Sequence, residues 1–341
     1  MEFELEEKEP RFDPEKYLAE KKAEIRKFAL RSLCIGATIL GINLFLVTLL
    51  TSFPETTGFS HRDFFSLLFR NIFFLIGVFF VLAGLWGFYE ASRTKIEDLI
   101  LTPEAEKFLT QVVRVRPTYT YIILVCIISV FFFQITDIID AEGNLRSFFV
   151  AGLVKTDVIQ KHEYWRILTS AFLHAGLLHV YFNSQAFYGF ASLIEAFSDK
   201  ARMAIVFLLS IIGGALASIV FLPEGISVGA SGGIMGLMGY LAVYGFRRRQ
   251  HLPPNFLRSI VVNIVFVLAF GIVAYRIIDN FAHIGGFLSG FLYGLMTVSR
   301  NVCENPRKVS ALTEAAGMIA MGILVFFAIL TILLITDYVR F

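Results

Sequence analysis

Disulfide pairing, nucleic-acid binding and solubility in water are all poorly served by this sequence. It holds three cysteines in 341 residues, and only 17% of its residues are charged. Cys34 and Cys126 fall inside apolar runs and Cys303 in a polar stretch, so no disulfide framework can be drawn. The net charge is only +2, and the basic residues flank apolar runs without forming one patch with interleaved aromatics. That distribution argues against nucleic acid as a partner. Internal repeats and inverted-repeat symmetry are lacking, and with them the usual signature of a secondary transporter.

What is abundant is apolar: 56% of the residues are hydrophobic and 37 are phenylalanine. Lipid is the natural solvent for such a composition. Nine stretches are long or apolar enough to cross hydrocarbon about 30 Å thick, most of them near the roughly 20 residues this requires. They are 32–51, 72–89, 119–135, 177–197, 203–222, 231–246, 259–275, 282–298 and 315–336. The expected fold class is an all-α polytopic membrane protein.

Positively charged loops are retained on the cytoplasmic side. With the N-terminus inside, 22 of the 30 Lys and Arg residues lie on cytoplasmic segments and 8 outside. Residues 337–341 then lie outside, and the longest outer loop runs from about 136 to 176. The charged first 30 residues precede an apolar run without a small-residue cleavage site, which reads as a retained anchor and not a removed signal peptide. Residues 1–31 form a cytoplasmic tail, partly helical or disordered, and 32–89 a hairpin of two membrane helices. A cytoplasmic linker follows over 90–117, in which Thr102 can cap a short helix with Pro103 at its first position. Residues 118–300 are expected to form a compact six-helix bundle, and 301–341 adds one more helix.

Polar residues inside a membrane are costly, so they are functional suspects. Three helices carry them, and all three run from outside to inside in this orientation. Ser231 lies 16 residues before Arg247, His283 17 before Arg300, and Asn183 17 before Lys200. At 1.5 Å per residue, all three sit about 24 to 26 Å above the inner boundary. His179, four residues before Asn183, shares its helix face one turn higher. The helix opened by Ser231 is short, and the preceding "LPEGISVGA" is rich in proline and glycine. Non-helical backbone at that depth is tolerated only when buried in protein or lining a wet cavity.

A serine hydroxyl becomes a nucleophile when a base takes its proton, and His283 is the histidine on a separate helix at the same depth. Attack on a carbonyl creates an oxyanion. The Asn183 amide, the His179 ring N–H and the Ser231 backbone N–H at a helix N-terminus suit its stabilisation. The constellation reads as acyl transfer, and water in the recess makes it hydrolysis.

Three stretches, "EYWRILTSAFLHAGLLHVYFN" (163–183), "GASGGIMGLMG" (229–239) and "AHIGGFLSG" (282–290), resemble the rhomboid family of intramembrane serine proteases. They match its outer-loop Trp-Arg, its H-x4-H-x3-N element, its G-x-S-G motif and its A-H-x-x-G-x-x-x-G motif. The resemblance covers slightly over half the chain. It implies a six-helix bundle with the short serine helix in the middle, here with two extra N-terminal helices and one extra C-terminal helix. It implies Ser231 as nucleophile and His283 as general base, with His179, Asn183 and Gly229 at the oxyanion and substrate. His174 is implied as structural, Trp165 and Arg166 as shaping the outer loop, and Gly286 and Gly290 as bringing the base helix against the serine helix. It further implies a serine endopeptidase acting in or near transmembrane segments of membrane-protein substrates, with the lipid bilayer as its medium. The family also contains noncatalytic members that bind or route clients, the competing function here.

Two departures stand out: Met235 occupies a position where an aromatic residue often packs on the catalytic histidine, and Glu195 lacks the arginine and glycine that often follow it. The hold on the outer loop is therefore expected to differ.

Simpler roles compete for several residues. Asp279, four residues before His283, could orient its ring as a triad acid, but an interfacial carboxylate paired with Arg276 or solvated is the favoured reading. His61, His162 and His251 belong to loops or interfaces. His174, His179 and His283 could offer three nitrogens to a metal, yet a zinc protease of the H-E-x-x-H type needs a glutamate beside its first histidine. Ala175, Gly176, Leu177 and Leu178 follow His174 instead, so no metal and no cofactor is expected.

Overall fold

The structure, a computed structural model, describes residues 13–70, 72–112, 115–136, 145–275, 277–299 and 309–339. Most of the 1–31 tail is described, but residues 1–12, Arg276, Arg300, Cys303 and the last two residues lie outside the described set. The described residues of Met1–Leu101 form one compact unit and those of Thr102–Phe341 a second.

In the first unit, α1 (Pro14–Ser52) and α2 (Ile72–Arg93) pack together. The expected tail is helical from Pro14 onward and continuous with the first apolar run. Asp13 caps this helix, its carboxylate accepting from the Glu15 and Lys16 amides at 3.0 and 3.2 Å, with Pro14 at the first helical position. A good cap and a proline there supply what a charged segment otherwise lacks for helix initiation. At 39 residues, α1 is about 58 Å long, close to twice the thickness of a hydrocarbon core. Small residues let the two helices touch: Gly36 faces the backbone of Gly77 and Val81, and Gly84 faces Ala29 and Leu33.

The second unit opens with a short helix, Pro103–Val112, whose Ala105 amide donates to Thr102 Oγ1 at 3.2 Å, the cap read from the sequence. Seven long helices follow among the described residues: α3 (Thr118–Gln134), α4 (Leu177–Phe197), α5 (Lys200–Phe221), α6 (Ser231–Arg247), α7 (Phe256–Val273), α8 (Asn280–Thr297) and α9 (Ala311–Ile335). The chain is an all-α, multi-pass integral membrane protein. Five helices, α1, α2, α5, α7 and α9, are long and apolar enough to cross a membrane by length and composition, α2 from Phe73 onward; α3 is a shorter apolar helix. The helices bearing His179 and Asn183, Ser231, and His283 are not among the five: polar residues and glycine dilute their hydropathy, and the Ser231 helix has only 17 residues. Of these, α6 is the most enclosed, with every residue from Gly232 to Leu241 buried. It packs against α4, α5, α7 and α8.

Two features were not read from the sequence. Within 145–176 the chain forms short helices, Arg146–Ala151, Lys155–Gln160 and Arg166–Thr169. Between the first two, β1 (Leu153–Val154) pairs antiparallel with β2 (Ile226–Ser227), with Leu153 opposite Ser227 and Val154 opposite Ile226. The non-helical backbone before Ser231 therefore finds partners in this loop: Lys155 N donates to Gly225 O at 3.4 Å and Gly229 N to Ser170 O at 2.9 Å. Unpaired amides at membrane depth would cost several kcal/mol each, and a two-residue pairing is too short to leave an alternating pattern.

The added helix α9 is integral to this unit. Gly317 lies against Ala201 of α5, and Thr331 Oγ1 donates to Thr169 O at 3.4 Å. Arg146 donates to Ile335 O at 2.9 Å and pairs with Asp337. Glu195 corrects an expectation. It sits at the end of α4 away from the 145–176 loop, and its carboxylate accepts from the Tyr119 and Thr120 amides at 3.3 and 2.5 Å and from Thr120 Oγ1 at 2.6 Å. It caps the N-terminus of α3, where free amides and the helix dipole favour an anion, and so does not hold the outer loop.

Candidate active site

Ser231 is the first residue of α6, and His283 lies in the first turn of α8. Their side chains meet: His283 Nε2 is 2.8 Å from Ser231 Oγ. Glycine makes this approach possible. A Cβ added at Gly286 would lie 2.0 Å from Gly232 O, and one at Gly290 1.9 Å from Gly236 O. Any side chain there would force α6 and α8 apart. On its other flank α8 meets α5 just as closely, for a Cβ at Gly285 would lie 2.5 Å from Gly213 O and one at Gly214 2.7 Å from Ala282 O. Gly213, Gly214 and Gly285 were missed in the sequence, although their small-residue spacing is the usual signal of close membrane helix contacts.

His179 and Asn183 face the segment leading into Ser231. Gly229 has φ +123°, a left-handed conformation that favours glycine. A Cβ there would lie 3.0 Å from His179 Cε1, 3.1 Å from its Nε2 and 3.9 Å from Asn183 Nδ2. The Ala175 amide donates to His179 Nδ1 at 3.2 Å, so the neutral ring carries its proton on Nε2, the nitrogen beside Gly229. Asn183 Nδ2 donates to His179 O at 3.1 Å, which uses one of its two N–H groups. The first-turn amides of α6 have no partner within their helix. One serine hydroxyl, one imidazole within hydrogen-bond reach of it and several N–H donors thus lie around a single helix start.

The surrounding loop is held by buried polar contacts. Gln134, another residue missed in the sequence, binds the His174 backbone twice: Gln134 Nε2 donates to His174 O at 2.8 Å, and His174 N donates to Gln134 Oε1 at 3.0 Å. The His174 ring is buried, its Nδ1 3.2 Å from Phe172 O and its centroid 5.0 Å from the His179 ring. Arg166 donates to Phe149 O, Val150 O and Gly152 O at 2.8, 3.3 and 3.1 Å. It also pairs with Glu163 at 2.5 Å and lies over the Trp165 ring at 4.5 Å. Met235 is buried. His162 stays in the loop beside Tyr164, its Nδ1 2.9 Å from the hydroxyl.

Asp279 is not placed as a triad acid, and Arg276, the partner weighed for it in the sequence, lies outside the described residues. His283 Nδ1 is buried with no hydrogen-bond partner among the described residues, so the Asp279 carboxylate does not orient the ring through that nitrogen. The Asp279 carboxylate instead accepts from Ser227 Oγ at 2.6 Å, from Ser218 Oγ and from the Ala282 amide at 3.0 Å, with Lys155 Nζ 3.4 Å away. Among the described residues no three His, Cys, Asp or Glu side chains are grouped as metal ligands would be.

Comparison with known proteins follows this geometry. The family model of the rhomboid domain matches residues 161–300, the span holding His174, His179, Asn183, Gly229, Ser231 and His283. The chain is 31% identical over 204 residues to rhomboid protease GluP of Bacillus subtilis (strain 168), covering 59% of this chain and 39% of that protein. It is 36% identical over 162 residues to RHOMBOID-like protein 1 of Arabidopsis thaliana, covering 45% and 41%. Inactive rhomboid protein 1 of Rattus norvegicus is 37% identical over 130 residues, covering 38% and 15%. The chain spans less than half the length of each of these relatives. The chain thus carries a rhomboid domain over residues 161–300, built on the helices that hold the serine, the histidines and the asparagine.

Proposed function

We propose that the protein is an intramembrane serine endopeptidase that hydrolyses peptide bonds in or near the transmembrane segments of other membrane proteins. The observation that carries this reading is the 2.8 Å approach of His283 Nε2 to Ser231 Oγ, which is hydrogen-bond reach for a nucleophile and its base. In this reading His283 Nε2 takes the hydroxyl proton as Ser231 Oγ attacks the scissile carbonyl. The tetrahedral oxyanion is met by His179 Nε2–H, the second Asn183 N–H and the Ser231 amide. Collapse expels the amine, which receives its proton from His283, and water then cleaves the acyl-enzyme by the same path in reverse. Gly229 keeps space beside His179 for the substrate backbone.

The catalytic bundle in this proposal is 118–300. The chain sits in the plasma or inner membrane with its N-terminus cytoplasmic and its C-terminus outside, as the Lys and Arg asymmetry supports. Ser231 then lies toward the outer face.

A second reading, a noncatalytic protein that binds or routes client helices, is favoured by the 37% identity to a protein named inactive rhomboid. A serine-reactive fluorophosphonate separates the two. Incubation of the detergent-solubilised protein, followed by peptide mass spectrometry, is expected to place a covalent adduct on Ser231, and to lose it in His283→Ala. Labelling of other serines with none at Ser231 supports the noncatalytic reading.

A further inference from the structure

Lys155 is the most enclosed of the buried charged side chains, with 1% of its surface exposed. A buried ammonium without a counterion is costly. Its Nζ is 3.4 Å from Asp279 Oδ2 and 3.4 Å from Glu224 O. Asp279 joins several segments through one carboxylate. Its Oδ1 accepts from the Ala282 amide at 3.0 Å, capping α8. Its Oδ2 accepts from Ser218 at the end of α5 and from Ser227 in β2, four residues before Ser231. The Asp279 carbonyl also accepts from the His283 amide at 3.2 Å, so the carboxylate sits one turn from the base.

We infer that the Lys155–Asp279 pair is a positioning clamp that fixes the start of α8, and with it His283, against the segment leading to Ser231, and so sets the serine–histidine distance. This rests on the protease reading above. Lys155 brings in the outer loop as the third wall, since it directly follows the strand residues that pair with Ile226 and Ser227. Asp279 is therefore a positioning residue acting through backbone geometry. It makes no hydrogen bond to the His283 ring, whose Nδ1 has no partner among the described residues.

The charges make the two partners unequal. Removing Lys155 leaves Asp279 with three donors, whereas neutralising Asp279 leaves Lys155 buried without a counterion. The test measures kcat and KM for a labelled transmembrane substrate, with thermal midpoints in the same detergent, for wild type, Lys155→Met, Asp279→Asn and the double variant. Expected are a fall in kcat of roughly 30-fold for Asp279→Asn and about 5-fold for Lys155→Met, with KM within about twofold. The double variant is expected to recover part of the Asp279→Asn loss, because the two residues are coupled. A purely structural pair would lower the thermal midpoint while leaving kcat per folded molecule unchanged, which overturns the inference, as would independent effects that simply multiply. Should Asp279→Asn fail to fold, Lys155→Met and Ser227→Ala decide, and unchanged kcat in both overturns the clamp. A wild-type protein with no activity overturns the protease reading itself and this inference with it.

Discussion

Gly229 carries two constraints at once, a φ of +123° and the His179 ring only 3.0 Å from where a Cβ would sit. Gly229→Ala is therefore expected to strain the backbone and press on His179, lowering kcat at least about 10-fold, since small displacements of catalytic groups are expensive. The check is steady-state kinetics beside a melting curve. A variant with wild-type kcat would remove Gly229 from the site. His179 and Asn183 are expected to act in the transition state, so His179→Ala and Asn183→Ala should each cost about 100-fold in kcat with little change in KM. Gln134 belongs to the scaffold. Gln134→Ala leaves the His174 N–H and C=O unpaired in a buried site, a loss of about 1–3 kcal/mol, read as a lowered thermal midpoint. Ser231, His283, His179 and Asn183 were legible because each is a polar residue in an apolar helix at a countable depth. Gln134 was not, because it stands at the end of its helix, where an amide needs no special explanation.

Between elements, α6 and α8 meet backbone to backbone, and this contact brings Ser231 and His283 together as much as the side chains do. Gly290→Ala would place a methyl group 1.9 Å from Gly236 O. Overpacking of this kind costs about 1–3 kcal/mol, and the same separation of helices should lengthen the Ser231–His283 approach. Expected are a lower thermal midpoint in detergent and slower fluorophosphonate labelling of Ser231 in the molecules that remain folded. Glu195 offers a contrast at the opposite end of α4. Glu195→Gln weakens a charged cap on α3 by about 1 kcal/mol, lowering stability while leaving the labelling rate per folded molecule unchanged. The long helices could be read from apolar runs, with most ends displaced by a few residues; the exception is α1, which the Asp13 cap starts at Pro14 in the charged tail, well before the apolar run that begins at Ser32. The β1–β2 pairing and the Lys155–Asp279 contact could not, because both join residues some 70 to 125 positions apart in sequence and leave no periodic trace. The Asp279 carboxylate was noticed in the sequence, but its partner there was sought four residues or fewer away.

For the molecule as a whole, the second unit depends on α9, whose Gly317, Ala320, Leu324, Ala328 and Thr331 are buried. Its end is fastened to the 145–151 segment through Arg146. Deletion of residues 311–341 is expected to lower the thermal midpoint and to increase proteolytic nicking within 145–176, the segment that carries Lys155 and Arg166. An unchanged protease pattern would make α9 a passive addition. Its apolar run was plain in the sequence, but nothing there indicated that it packs on the bundle, since a lipid-facing helix and a packed one share that composition.

The account stands on Ser231 and His283 acting as one catalytic pair. The most direct measurement is cleavage of a labelled transmembrane substrate by the purified full-length protein in liposomes, comparing wild type with Ser231→Ala and His283→Ala. Cleavage by wild type and loss of at least about 1,000-fold in both variants is the predicted result, with the double variant no worse than either single one, as residues acting as a unit require. Equal cleavage by all three proteins would contradict it.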